Sequence, residues 1–293
     1  MCTARVAHRW DLKDAGVILY PVPAGAPQPP PGHGQYPALL SATFSPRTDI
    51  WLRSTDAGRA FEWYSLLLNA LTPIGCYSPA VGQHGWTWER KTAVASRWSE
   101  LSYSIPALYE EGSLEAALAA APVGHAIEDH AYYVGQNGAV DNALVLPRCL
   151  DETIVAANAL PEEERKVLRR AAHWIKAGER AGDESRSLNY LALVCGLEAL
   201  SHYGWKGIGA KKGFSQMMHD LLPCYGEVEA SAAYLYKLRC ALAHDAAVFA
   251  DDWQEISMES DTRDIAALNR LTWVCRLVVT NWVRSRRGLP LVG

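Results

Sequence analysis

The chain has 293 residues, 28 Lys and Arg against 32 Asp and Glu, and a formal net charge of -4. With 49% hydrophobic and 20% charged residues it can fill one large core or two ordinary ones, and the mild acidity excludes a general nucleic-acid coat, so any RNA contact must come from a local basic patch. Its seven cysteines, Cys2, Cys76, Cys149, Cys195, Cys224, Cys240 and Cys275, are scattered without a C-x-x-C pair, which excludes a disulfide framework and a zinc ribbon and points to a reducing cytoplasm.

Met1 to Leu12 carries charges but no apolar core, so no secretory signal is expected. Gly16 to Tyr20 reads as a short strand running into a Pro/Gly-rich loop, Pro21 to Pro37. Ala38 to Phe44 and Asp49 to Arg53 are predicted to pair as a hairpin around Ser45-Pro46-Arg47-Thr48. Asp56 to Leu71 has Phe61, Tyr64, Leu67 or Leu68, and Leu71 at helical spacing. Trp86 to Trp98 fits strand or helix, Ser113 to Ala121 fits a short helix capped by Ser113, and Asn142 to Leu146 fits a strand.

The pattern changes near Asp151. Pro161 and three successive glutamates start a helix whose buried stripe is Leu168, Ala171, Ile175 and Gly178. A second helix, from Asp183 or Ser187 to Tyr203, is apolar on nearly all sides and should be central. Gly204 to Gly213 reads as a loop, Phe214 to Leu222 as a short helix, Glu227 to Val248 as a long one, and Thr262 to Arg287 as the last. The expected fold is an α+β domain over 1–150 followed by an all-α bundle over 151–293. Every long apolar run is interrupted by Arg or Glu, so no membrane span is expected.

Chemistry concentrates in Tyr236-Lys237-Leu238-Arg239-Cys240-Ala241-Leu242-Ala243-His244. Arginine is a permanent cation that grips phosphate bidentately, and histidine moves protons near neutral pH. Five helical steps turn His244 about 140° away from Arg239, so a straight helix would not aim both at one spot, whereas two copies across a two-fold axis could. Glu198 lies in the apolar helix and needs a partner, for which Lys237 and Arg239 are the candidates.

With these residues the region from Pro161 to Arg287 resembles HEPN domains of the Apea-like type. The resemblance is carried by Val167 to Trp174, by Leu191 to Leu200 with Glu198, and by Tyr236 to His244, where Arg is followed after a few residues by His. It implies a helical homodimer with a composite, metal-independent ribonuclease site. In that site His244 would act as base or acid at the ribose 2′-OH and leaving oxygen, Arg239 would stabilise phosphorane charge, and Glu198 would orient Arg239. The products would be a 2′,3′-cyclic phosphate and a 5′-OH, and the biological setting a toxin or phage-defence effector. The family commonly has a polar residue, often Asn, straight after the Arg; here Cys240 stands there, a weak hydrogen-bond partner. The alternative is a non-catalytic module that binds RNA or a protein partner, with the N-terminal domain sensing a regulatory protein or ligand.

Lys206, Lys211 and Lys212 lie in the Gly-rich segment and, with Lys237, are the expected RNA-backbone contacts. That segment lacks the P-loop Gly-Lys-Ser/Thr ending. His125-Ala126-Ile127-Glu128-Asp129-His130 approaches a metal motif but misplaces its second histidine, so it reads as loop; no metal and no cofactor are expected. Trp86, Trp88 and Trp98 could stack bases, but buried core positions are the commoner fate of tryptophan.

Overall fold

The structure is a computed structural model, and it describes residues 5–21, 36, 38–42, 50–73, 85–88, 95–99, 120–136, 138–140, 143–182, 185–223, 228–244, 249 and 258–293. Two units divide the chain. Met1–Ser65, Ile74–Ile127 and Asn137–Leu146 form the first, and Leu66–Pro73, Glu128–Gln136 and Pro147–Gly293 the second.

In the first unit, β1 (Trp10–Leu12), β2 (Val17–Pro21) and β3 (Ala38–Ala42) make an antiparallel sheet in that order. Trp10 sits opposite Leu19 and Leu12 opposite Val17. All four side chains are buried, as two-residue periodicity requires of one sheet face. The expected hairpin between Ala38–Phe44 and Asp49–Arg53 does not form. The whole of β2 lies open to a partner, and all five residues of β3 pair with it. Ile50 to Arg53 instead begins α1 (Ile50–Leu71), which therefore starts six residues before the predicted Asp56. Tyr64 on that helix donates its hydroxyl to the Ala15 carbonyl at 3.3 Å.

The tryptophan-rich segment resolves as strand: β4 (Gly85–Trp88) pairs antiparallel with β5 (Ala95–Ser99), Trp86 opposite Trp98. The predicted Asn142–Leu146 strand shrinks to β7 (Ala143–Leu144), paired with β6 (Ala139–Val140). The predicted helix from Ser113 falls outside the described residues except at Ala120 and Ala121.

The second unit is helical. Its first helix after Leu66–Leu71 is α2 (Asp129–Tyr133), inside the segment read as loop. The Glu128 carboxylate accepts from the Ala131 amide at 3.0 Å, and Asp129 accepts from the Cys149 amide at 2.9 Å. Both acids accept backbone amides, and the amide bonds hold Glu128 below its ordinary carboxylate value. Then follow α3 (Leu150–Asn158), α4 (Glu162–Ala181), α5 (Arg186–Gly204), α6 (Ala210–Leu221), α7 (Val228–His244) and α8 (Met258–Arg286). Sequence reasoning missed α3, although Leu150, Ile154 and Ala157 at helical spacing and two acids in its first turn signal it.

α5 occupies the centre of this unit, as its all-round apolarity predicts. Ser185 caps it, accepting from the Leu188 amide at 3.2 Å. Tyr190, Leu193, Val194, Leu197 and Leu200 are fully buried. Gly196 lets α4 approach closely: a Cβ there would stand 3.1 Å from both the Ala171 carbonyl oxygen and Ile175. The buried stripe of α4 is Leu168, Ala171, Ala172, Ile175 and Gly178. Phe214, Met217 and Met218 of α6, Ala232 and Leu235 of α7, and Leu271, Cys275, Val278 and Trp282 of α8 complete the core.

Polar groups inside this core are tied to specific partners, as burial demands. Tyr133 donates to the Leu71 carbonyl at 2.9 Å and lies 3.1 Å from Thr280. Arg276, fully buried, pairs with Glu179 and donates to the Thr72 and Thr272 carbonyls. Asn281 donates to the Leu221 and Val292 carbonyls and accepts from the Val292 amide, fastening the tail after α8. Phe249 donates its amide to Ser187 at 2.8 Å and packs edge-on against Tyr190 at 5.6 Å. Among the described residues no helix is long and apolar enough to cross a membrane.

Candidate active site

α5 and α7 bring Glu198, Arg239 and His244 into one chain of contacts. Glu198 is almost buried, and Arg239 reaches it across the helix pair, Nη2 to Oε2 at 3.1 Å. The same guanidinium places Nη1 3.1 Å from His244 Nε2. Guanidinium has no acceptor, so in this hydrogen bond Nε2 is the accepting atom. The helical-phase expectation that one straight helix cannot bring Arg239 and His244 together is therefore corrected. Arg239 is long enough to span the offset between the two positions on α7.

Glu198 selects Arg239 over Lys237 for a geometric reason. Lys237 is exposed and sits about 160° around α7 from Arg239. Partial burial disfavours the charge of Arg239, but the Glu198 carboxylate beside it outweighs that cost and holds the guanidinium above its ordinary value. Arg239 Nε is buried with no hydrogen-bond partner among the described residues, so its N–H donor is unspent.

Two neighbours escaped sequence reasoning. The Tyr236 ring lies 6.0 Å from the Arg239 guanidinium carbon and packs on Phe214 at 5.7 Å. Burial and then the Glu198 charge raise its phenol above the usual value. Cys195, half-buried, is raised by burial first and by Glu198 second, with Arg239 opposing. Both were findable: Tyr236 is three residues before Arg239 and Cys195 three before Glu198, a spacing that puts each on the same helix face as its neighbour.

The remaining lysines stand elsewhere. Lys211 and Lys212 are not in a loop, because α6 begins at Ala210. Gly209 precedes it with φ +83° and ψ 151°, a conformation open essentially to glycine alone. Lys211 and Lys212 line a shallow cavity of about 610 Å³ with Ile208, Ser215, Gln216 and His219. On α6, Lys211 and Lys212 stand about 60° and 160° around from Phe214, the residue that meets Tyr236. Lys206 is exposed in the turn after α5, its ammonium 5.3 Å from the Tyr203 ring centre. None of these three joins the Glu198–Arg239–His244 chain. Trp86, Trp88 and Trp98 belong to the other unit.

Among the described residues no group of three His, Cys, Asp or Glu side chains is placed to hold a metal ion. Comparison with family models, with curated proteins and with solved structures finds no match to this chain.

Proposed function

We propose that the chain is a metal-independent endoribonuclease of HEPN type that works as a homodimer, the Arg239 and His244 of two copies lining one composite cleft. The observation that supports this reading is the relay from Glu198 through Arg239 to His244 Nε2. In the free protein Arg239 occupies the lone pair of His244. A phosphodiester competes for the guanidinium, because bidentate phosphate contact is its stronger hydrogen bond. Drawing Arg239 onto phosphate frees Nε2 to take the proton of the 2′-OH. The 2′-oxygen then attacks phosphorus, the 5′-oxygen leaves with a proton returned by imidazolium, and Arg239 steadies the developing charge. Glu198 keeps the guanidinium from following the product. Lys206, Lys211, Lys212 and Lys237 would act as outer contacts to the RNA backbone. A toxin or phage-defence role suits such a nuclease.

The test is cleavage of mixed single-stranded RNAs in excess EDTA. Wild type should yield 2′,3′-cyclic phosphate and 5′-OH ends, and His244→Ala should not. Equal cleavage by both, or none by either across varied RNAs, overturns the proposal. Light scattering should give twice the chain mass of 32.2 kDa. Cys240, beside Arg239 and half-buried, favours a second reading, an RNA-binding module without turnover: RNA retained intact, with affinity indifferent to His244→Ala, would select it.

A further inference from the structure

The outer face of α4 carries a second constellation. From Arg165 to Gly178 the sequence holds five Lys and Arg, one His and no acid, within a chain of net charge -4. Lys166, Arg169, Arg170, His173, Trp174 and Ala177 line a shallow cavity of about 530 Å³. At about 100° per residue these six positions form one stripe, diametrically opposite the buried Leu168, Ala171 and Ile175. Arg180 continues the stripe, giving it a length of about 21 Å from Lys166. Trp174 is 45% exposed in the middle of it. An indole so placed is only partly buried, and what it offers to solvent is a flat π-face among cations.

We propose that this stripe is a binding site for single-stranded nucleic acid, with backbone phosphates on Arg169 and Arg170 and a base stacked on Trp174. Arg169 and Arg170 flank Trp174 along the stripe, and guanidinium grips phosphate bidentately, so the arginines are assigned the phosphates. Charge alone would admit an acidic peptide, but a peptide carboxylate leaves the indole face bare, whereas a nucleotide covers both the charge and the ring. A duplex keeps its bases stacked inside, so the partner is a single strand. A membrane surface needs a broad apolar helix face, and this one has a lone aromatic.

The stripe is separate from Arg239. On α5, Ala192 and Gly196 meet α4, while Tyr190 and Glu198 meet α7. These two sets lie about half a turn apart, so α4 and α7 flank opposite sides of α5. The proposal stands whether or not Arg239 and His244 cleave RNA.

The full chain should bind a fluorescein-labelled oligo-deoxythymidine of roughly ten nucleotides, measured by anisotropy at about 50 mM salt. That probe has no 2′-OH, so chemistry at His244 cannot consume it. Trp174→Ala should weaken binding about five-fold or more, and Trp174→Phe should restore most of it. Arg169→Glu with Arg170→Glu should flatten the salt dependence, log K against log salt, by about 1.4 (two phosphates at about 0.7 each). Heparin, a polyanion without bases, should respond to the arginine pair and not to Trp174→Ala. An oligo-uridine arm in the His244→Ala protein separates RNA from DNA preference, and tight binding of either supports the site. Failure to bind both strands, equal weakening of heparin by Trp174→Ala, or poly-glutamate binding as tightly as the oligonucleotides would overturn it. Because the readout is binding, loss here with cleavage intact, or the reverse, distinguishes this site from the one at Arg239.

Discussion

Arg239 Nη1 stands 3.1 Å from His244 Nε2, a hydrogen bond between two residues that helical phase alone would point apart. It places the accepting Nε2 of His244 against a neighbouring cation. His244 is exposed, so His244→Ala should change unfolding free energy by less than about 0.5 kcal/mol. RNA cleavage should fall by at least about 100-fold. Urea melts and initial cleavage rates on the same preparations check both halves.

Glu198 should behave differently, because it is almost buried and holds the guanidinium. Glu198→Gln keeps the shape and loses the charge. It should cost about 1–3 kcal/mol of stability and also reduce cleavage. Rescue of cleavage without rescue of stability, or the reverse, would show that the carboxylate serves only one of the two.

The Cys195 thiol reports on the same pair. Burial raises it first, Glu198 raises it further, and Arg239 lowers it. Removing Glu198 should therefore bring it down and speed alkylation near pH 8, while Arg239→Ala should push it up and slow alkylation. Cys149, raised by burial to about 12, and the fully buried Cys275, raised further, should stay unmodified until the protein is unfolded. Mass-resolved alkylation timed in native buffer and in denaturant reads all three.

The helical half was legible because its signals are local. The apolar run of α5, the acids after Pro161 and the stripe from Leu168 to Gly178 each imply their own helix. Glu198 needed a partner for the same reason, and Arg239 supplies it. What failed depended on partners distant in sequence or on helix ends. Nothing near Ala38 shows that β2 will be its partner, and the switch of Ile50 to Arg53 from strand to helix follows from that pairing. The Arg239–His244 contact was hidden because helical phase describes Cβ directions, and an arginine side chain reaches well beyond its Cβ.

Arg276 and Glu179 offer a test of the interior. Arg276→Met leaves Glu179 without its cation and should cost about 3–5 kcal/mol. Glu179→Gln combined with Arg276→Met should cost less than the sum of the single changes, because no stranded charge remains. A double-mutant cycle in urea gives that coupling directly; strict additivity would mean the two do not interact in solution.

The Ser187 hydroxyl on α5 holds the amide of Phe249 at 2.8 Å, five residues past His244. The chain thus has two fixed points five residues apart, His244 on α7 and Phe249 at Ser187. Remove the second and the imidazole gains conformational entropy that substrate binding must then take back. A saturation screen scored on cleavage would accordingly flag Ser187→Ala as if it were part of the machinery, although its contribution is to shorten the search that His244 makes.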